Sequence, residues 1–282
     1  MSCACVLKAE TFRTLVTKQR LDSVLTGRGL ARSRSHAAQL IADGLVRVDG
    51  STVIKASAQV GEEQQLSVDE IDRYVSRGAG KLIAALDAFR NVVISERLAL
   101  DAGASTGGFT QVLLERGARH VIAVDVGHGQ LSPVIAADAR VSVVEGYNIR
   151  YAFHESLELS SGVHERPGLV VADLSFISLT NVLPALVEIA ESEAEFVVLI
   201  KPQFEVGRTG IREGVVKNPG LRADSVMSVL WAAYDLGLRT AGVIASPVIG
   251  NAGNHEYLAW LTASTGSNPT EWLDRVGTLA GV

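Results

Sequence analysis

Six short apolar runs recur along the last two thirds of the chain, at 98–100, 121–124, 141–144, 169–172, 196–200 and 240–245. Each is strand-sized and is followed by a segment long enough for a helix, so the rhythm alternates strand with helix. Runs that stay apolar at consecutive positions, not at every second one, are covered on both faces, as in a parallel sheet between two helix layers. The pattern predicts an α/β, Rossmann-like, doubly wound and mostly parallel sheet over 81–265. A helix with Leu82, Ala85, Leu86 and Phe89 in phase precedes it.

A different pattern occupies 1–62. One helix places Leu21, Val24 and Leu25 inward, Gly27 and Gly29 make a corner, and a second helix carries Ala37, Ala38, Leu40 and Ile41. Gly44 fits a left-handed helix cap, and Asp49-Gly50 a tight turn between two short strands. Charge divides along the same line: up to Gly61 there are 9 Lys/Arg against 4 Asp/Glu, and from Glu62 onward 17 against 27. A small basic α+β module is therefore joined to an acidic body. Clustering of Arg20, Arg28, Arg32 and Arg34 with His36 near suits a polyanion better than a solvated face of mixed sign. The polar, glycine-punctuated stretch over 63–80 reads as a linker, and 266–282 as a polar, flexible tail.

A composition 47% hydrophobic and 20% charged excludes a disordered or collagenous chain. Cys3 and Cys5 are the only cysteines, too few for a metal site or a disulfide scaffold, and they read as thiols in a reducing cytosol. The opening Cys-Ala-Cys-Val-Leu is too short for the core of a signal peptide, and no apolar run approaches the roughly 20 residues of a spanning helix. A soluble cytoplasmic protein is expected, with no membrane partner. Oligomeric state is left open.

After the first apolar run comes Asp101-Ala-Gly103-Ala104-Ser105-Thr106-Gly107-Gly108-Phe109. Such a strand-to-helix turn binds ligands at the carboxyl edge of a sheet. Ser105 stands where a dinucleotide fingerprint needs glycine, and no Gly-Lys-Ser/Thr follows, so neither a pyrophosphate loop nor a Walker loop fits. Asp125, at the end of the next run, and Asp101 suit a cofactor with a ribose diol and a free amino group, which S-adenosylmethionine has. On this reading Asp125 takes the diol, while Asp101 and the backbone near Gly103 face the methionine end. Asn148 follows the third run, where an adenine contact could form; the alternative reading is a plain turn residue.

Four charged residues stand out: Asp173 and Lys201 close apolar strands, Glu256 sits in the late loop over 250–256, and Lys81 begins a helix. Lys81 is placed early in a helix, where the macrodipole disfavours a cation. The order Lys81, Asp173, Lys201, Glu256 around the glycine loop is similar to the Lys-Asp-Lys-Glu tetrad of FtsJ-like ribose 2′-O-methyltransferases. In the basic module, Arg20-Leu-Asp-Ser-Val-Leu, Gly29-Leu-Ala-Arg-Ser-Arg-Ser-His-Ala and Leu40-Ile-Ala-Asp-Gly-Leu-Val-Arg-Val-Asp-Gly50 resemble the RNA-binding domain shared with ribosomal protein S4. Together with Tyr74-Val-Ser-Arg-Gly, Ala172-Asp-Leu-Ser-Phe-Ile-Ser-Leu and Lys201-Pro-Gln-Phe-Glu, the whole resembles the TlyA family.

That resemblance implies methyl transfer from S-adenosylmethionine to the 2′-hydroxyl of a cytidine in ribosomal RNA. Ribosomal RNA or a ribosomal subunit is the implied partner, with Arg20, Arg32, Arg34 and Lys55 on phosphates. The tetrad would be catalytic, with Asp173 also beside the cofactor. Two roles for Lys201 stay open: a neutral base that takes the hydroxyl proton, or a cation that positions the oxygen. The family's haemolysin label raises a membrane-active alternative. The chain shows no strongly basic amphipathic helix to support it. A non-catalytic RNA-binding assembly factor is the other alternative, and the complete set of loop and tetrad residue types favours an enzyme.

Overall fold

The computed structural model describes residues 18–31, 33–42, 44–68, 74–207, 210–211, 214–250 and 253–282. Arg32, Cys3 and Cys5 lie outside them. The chain divides into two compact units, Met1–Arg73 and Tyr74–Val282.

In the first unit, β1 (Gln19–Arg20) leads into α1 (Leu21–Gly27) and α2 (Arg34–Ala42). Four short strands follow: β2 (Val46–Val48), β3 (Ser51–Thr52), β4 (Gln59–Val60) and β5 (Leu66–Val68). Strand β1 pairs with β4, and β2 pairs with both β3 and β5, all antiparallel. Leu21, Leu25, Ala37, Ile41 and Val46 are fully buried and hold the two helices against the strands. Gly44 caps the second helix at φ +71°, and the Asp49-Gly50 turn has positive φ at both positions, the geometry that closes a two-residue hairpin.

In the second unit, α3 (Gly78–Ala88) precedes β6 (Leu98–Ala102), α4 (Gly108–Glu115), β7 (His120–Asp125), α5 (Pro133–Ala136) and β8 (Val141–Glu145). The chain continues through α6 (His154–Ser161), β9 (Leu169–Ala172), α7 (Leu183–Ile189), β10 (Glu195–Ile200) and α8 (Pro202–Glu205). It ends with α9 (Pro219–Asp235), β11 (Arg239–Ala245), β12 (Tyr257–Thr262) and α10 (Leu273–Ala280). One seven-stranded sheet runs in the order β11-β12-β10-β9-β6-β7-β8, with β12 antiparallel to both its neighbours and the other pairs parallel. Helices α3 and α4 pack on one face, and α6, α7, α9 and α10 on the other. The direction of strand addition reverses between β6 and β9, so a crevice opens there at the carboxyl edge.

Three expectations are corrected. Of the segment 63–80 read as a linker, 66–68 form β5 in the first unit, whereas Tyr74 and Val75 bind Glu115 and Gln111 on or beside α4, and α3 begins at Gly78. The tail read as flexible carries α10, whose Val276 and Ala280 are buried in the same core as α9. Its apolar residues recur at helical spacing, and their burial outweighs the small and polar residues that precede them. The seventh strand, β12, was absent from the six runs: its Tyr-Leu-Ala-Trp-Leu-Thr segment follows directly after Glu256, and the register with β10 fixes it as a strand.

Candidate active site

The crevice between β6 and β9 is a cleft of about 560 Å³, lined by the glycine loop, the ends of β9 and β10, the first turn of α3 and the loop before β12. Lys81, Asp173, Lys201 and Glu256 all line it. Lys81 Nζ donates to Glu256 Oε2 at 2.6 Å and lies 3.9 Å from Asp173 Oδ2. Lys201 Nζ lies 2.6 Å from Asp173 Oδ1. Cation and carboxylate thus alternate along a single line, Glu256, Lys81, Asp173, Lys201. The misfit of a cation in the first turn of α3 is resolved by these two carboxylates. Both lysines and Glu256 are buried, and ions taken so far out of water persist only when paired.

The line continues past both ends. Lys201 Nζ donates to Ser175 Oγ at 2.8 Å and stands 5.9 Å from the centre of the Phe204 ring. Glu256 Oε1 accepts from Gln203 Nε2 at 3.5 Å. Gly250 makes room for this carboxylate, since a Cβ there would fall 2.2 Å from Glu256 Oε1. Phe176 stands almost wholly exposed, 92%, at φ +64°, with its ring 5.3 Å from that of Phe204. A bulky residue in the left-handed region, displayed to solvent on a cleft wall, is strained in the way that functional positions are. Ser175, Phe176, Gln203 and Phe204 were not singled out from the sequence, although they sit inside the Asp-Leu-Ser-Phe and Lys-Pro-Gln-Phe-Glu segments. Asn254 fastens another wall: its Oδ1 accepts from Val216 N and its Nδ2 donates to the Gly214 carbonyl.

Gly103, Ala104, Ser105, Gly108 and Phe109 line the cleft. Gly103 adopts φ +85°, and a Cβ there would lie 2.6 Å from the Asp173 carbonyl oxygen, so only glycine lets the two strand ends close up. Thr106 and Gly107 face away, Thr106 toward the Val75 carbonyl and Gly107 onto Leu131 and Ile135. Asp125 is not among the residues that line the cleft but reaches its loop from β7: its Oδ2 accepts from Ser105 N and its Oδ1 from Gly127 N, both at 2.8 Å. Beside it, Glu145 accepts from the backbone N–H groups of Gly129, Gln130 and Leu131, which hold its carboxyl below the usual range and fix that loop.

Besides Thr106 and Gly107, two further expectations for cofactor contacts change. Asp101 is fully buried and away from the cleft, because strand alternation turns it with Ala99 toward α4, where it accepts from Thr110 Oγ1 at 2.6 Å. Burial there pushes its carboxyl up to about 7. It supports the glycine loop from beneath. Asn148 is exposed, and its Oδ1 caps a 3-10 turn by accepting from Arg150 N at 3.1 Å. It is a turn residue outside the cleft lining.

On the first unit, Arg20 forms a two-pronged ion pair with Asp22, and Arg34 approaches the same carboxylate at 3.4 Å. These arginines hold the Asp22 carboxyl down at about 2. Arg34 remains largely exposed, and Lys55 is exposed. Arg28 has a structural task, donating to the Glu62 and Gln64 carbonyls.

A sheet of this order, with a glycine loop at the switch point and helices on both faces, is a Rossmann-like methyltransferase fold. The FtsJ-like methyltransferase family matches residues 74–263 and the S4 domain residues 19–66. The 16S/23S rRNA (cytidine-2′-O)-methyltransferase TlyA of Mycobacterium tuberculosis is 49% identical over 89% of this chain and 92% of its own. Hemolysin A of Brachyspira hyodysenteriae is 35% identical over 85% of this chain and 98% of its own. A solved structure from Streptococcus thermophilus that carries a hemolysin name superposes with a TM-score of 0.72 at 36% identity, covering 94% of this chain and 96% of that one. The chain belongs to the TlyA family, FtsJ-like methyltransferases with an S4 domain in front. Among the described residues, no helix is long and apolar enough to cross a membrane.

Proposed function

We propose that this chain methylates the 2′-hydroxyl of a cytidine ribose in ribosomal RNA, in the cytoplasm, with S-adenosylmethionine as donor. The observation that carries the reading is the alternating line Glu256, Lys81, Asp173, Lys201 at the switch point, directly beside the glycine loop. The residues present suit the donor. Glycine at 103 and 108 packs the loop closely against Asp173 and Ser76, and each Asp125 oxygen, engaged by one backbone N–H, has a further lone pair for a ribose diol. When bound, S-adenosylmethionine supplies an electrophilic methyl group.

The remaining work falls to the chain. A ribose hydroxyl is a poor nucleophile, so the cleft must orient it and deal with its proton. Lys201 is the group for this task, held at one end of the charge line and facing the cleft. It either takes the proton as a neutral amine or, as an ammonium, positions the oxygen and stabilises the charge it develops. Asp173 bridges the two ammonium groups, and Glu256 secures Lys81. The Phe176 and Phe204 rings offer a stacking surface for a base displaced from its neighbours, as RNA-recognition sites commonly do. Arg20, Arg34 and Lys55 would hold phosphates.

The test supplies purified full-length protein and tritiated S-adenosylmethionine to separate small and large ribosomal subunits lacking the modification, and maps the label. Label on a cytidine 2′-oxygen is the expected result. No transfer to either subunit or to naked ribosomal RNA overturns the reading. Lys201→Ala is expected to lower the rate by about 10²- to 10⁴-fold, with donor affinity retained within about threefold. Near-normal turnover would remove Lys201 from its role.

A further inference from the structure

We propose that Ser175 is a positioning residue for Lys201, a fifth member of the charge line whose hydroxyl fixes the direction of the lysine's third N–H bond. This rests on the reading of the cleft as a ribose methylation site. An ammonium has three donors on a freely rotating carbon–nitrogen bond. In this cleft Asp173 Oδ1, at 2.6 Å, and Ser175 Oγ, at 2.8 Å, engage two of them from positions two residues apart in the loop after β9. Two fixed acceptors stop the rotation, so the remaining position on Nζ has one direction. That position is occupied by a proton when the lysine is charged and by the lone pair when it is neutral. Either role for Lys201 needs such a direction, since proton transfer and oxyanion stabilisation both decay steeply with misalignment.

The chemistry of the acceptor matters as much as its place. A hydroxyl accepts from the ammonium without adding negative charge, whereas Asp173 already supplies one carboxylate to Lys201 and a partial approach to Lys81. Ser175 is exposed on the cleft wall, so its removal opens no core cavity. Immediately after it, Phe176 stands at φ +64°. The loop is pinned beyond that point by Glu205, which accepts from Ser178 Oγ and from Leu179 N. The serine is therefore held from both ends, by β9 and by this anchor.

The test uses full-length Ser175→Ala and Ser175→Thr proteins. The first readout is the lysine side-chain proton–nitrogen NMR spectrum, with the Lys201 signal assigned from Lys201→Arg. Ser175→Ala is expected to shift or broaden that signal, and Ser175→Thr, which keeps the hydroxyl, to leave it close to wild type. The second is methyl transfer to unmodified ribosomal subunits. Here Ser175→Ala is expected to lower kcat by about 10- to 100-fold, with both KM values within about threefold and with recovery in Ser175→Thr. An unmoved Lys201 signal in Ser175→Ala, or a kcat within about twofold of wild type, overturns the proposal. So does a threonine variant as poor as alanine with both KM values raised, the mark of general damage to the loop. If wild-type protein labels no ribose, the function proposed for the cleft fails, and the NMR signal still decides whether the hydroxyl holds the lysine.

Discussion

Asp101 shows how one residue serves a site without touching it. Its side chain is fully buried beneath the glycine loop, with Thr110 Oγ1 donating to one oxygen and no partner for the other among the described residues. Burial raises its carboxyl from 3.8 to about 7, so between those values the folded chain holds a proton that the unfolded chain has lost. Stability from this group therefore falls as pH rises through that window and levels off above it. Asp101→Asn removes the titration. Thermal melts without cofactor are expected to show the variant gaining relative to wild type between about pH 5 and pH 8. A gap independent of pH would place the origin elsewhere. At Asp22 the opposite shift arises from opposite surroundings, two arginines in place of an apolar layer.

At the scale of elements, the turn between β6 and α4 decides whether the cleft exists. Gly103 brings this turn against the Asp173 carbonyl, and Gly108 leaves no space for a Cβ beside Ser76 Oγ, 2.0 Å away, and Ala79 N, 3.1 Å away. Gly103→Ala meets rigid backbone at positive φ. A cost of about 1–3 kcal/mol is expected, seen as a lower denaturant midpoint together with weakened S-adenosylmethionine binding in calorimetry. Gly108→Ala meets first a small hydroxyl that can turn away, so it should weaken cofactor binding less. Equal effects of the two would show that space, not backbone conformation, governs the loop. The charge line depends on elements in the same way: its members come from α3, the end of β9, the end of β10 and the loop before β12, and it exists only when all four are in register.

At the scale of the whole molecule, charge is divided along the chain and not simply between the two units. Up to Gly61 there are 9 Lys/Arg against 4 Asp/Glu, whereas the acidic residues of 62–72 bring the first unit, Met1–Arg73, close to neutral, so any attraction to RNA outside the cleft is expected to reside mainly in the stretch up to Gly61. Arg34→Ala with Lys55→Ala should weaken binding to ribosomal RNA and reduce the slope of log affinity against log salt by up to about 2, one per phosphate contact. An unchanged slope would remove both from the phosphate-binding set.

Much of this molecule is legible in its sequence because local and periodic signals are physical constraints that act without knowledge of partners. Two-sided burial makes the inner runs in β6, β7, β9 and β10 apolar at consecutive positions, whereas the edge strands β8 and β11 keep exposed positions, and a left-handed cap and a tight turn demand Gly44 and Asp49-Gly50. A cation in the first turn of a helix and charges at strand ends drew attention to Lys81, Asp173, Lys201 and Glu256. What the sequence leaves open depends on direction and on contacts between distant segments. Alternation along β6 turns Asp101 away from the cleft, Asn148 satisfies its own turn, and α10 finds its core only against α9. Ser175 gains a role solely because Lys201, 26 residues later, arrives 2.8 Å from its hydroxyl. Residue type and periodicity thus determined the fold class and singled out Lys81, Asp173, Lys201 and Glu256 as charges in unusual places. Tertiary structure decided which atoms meet, since a hydrogen bond depends on distance and angle in space and neither is encoded in spacing along the chain.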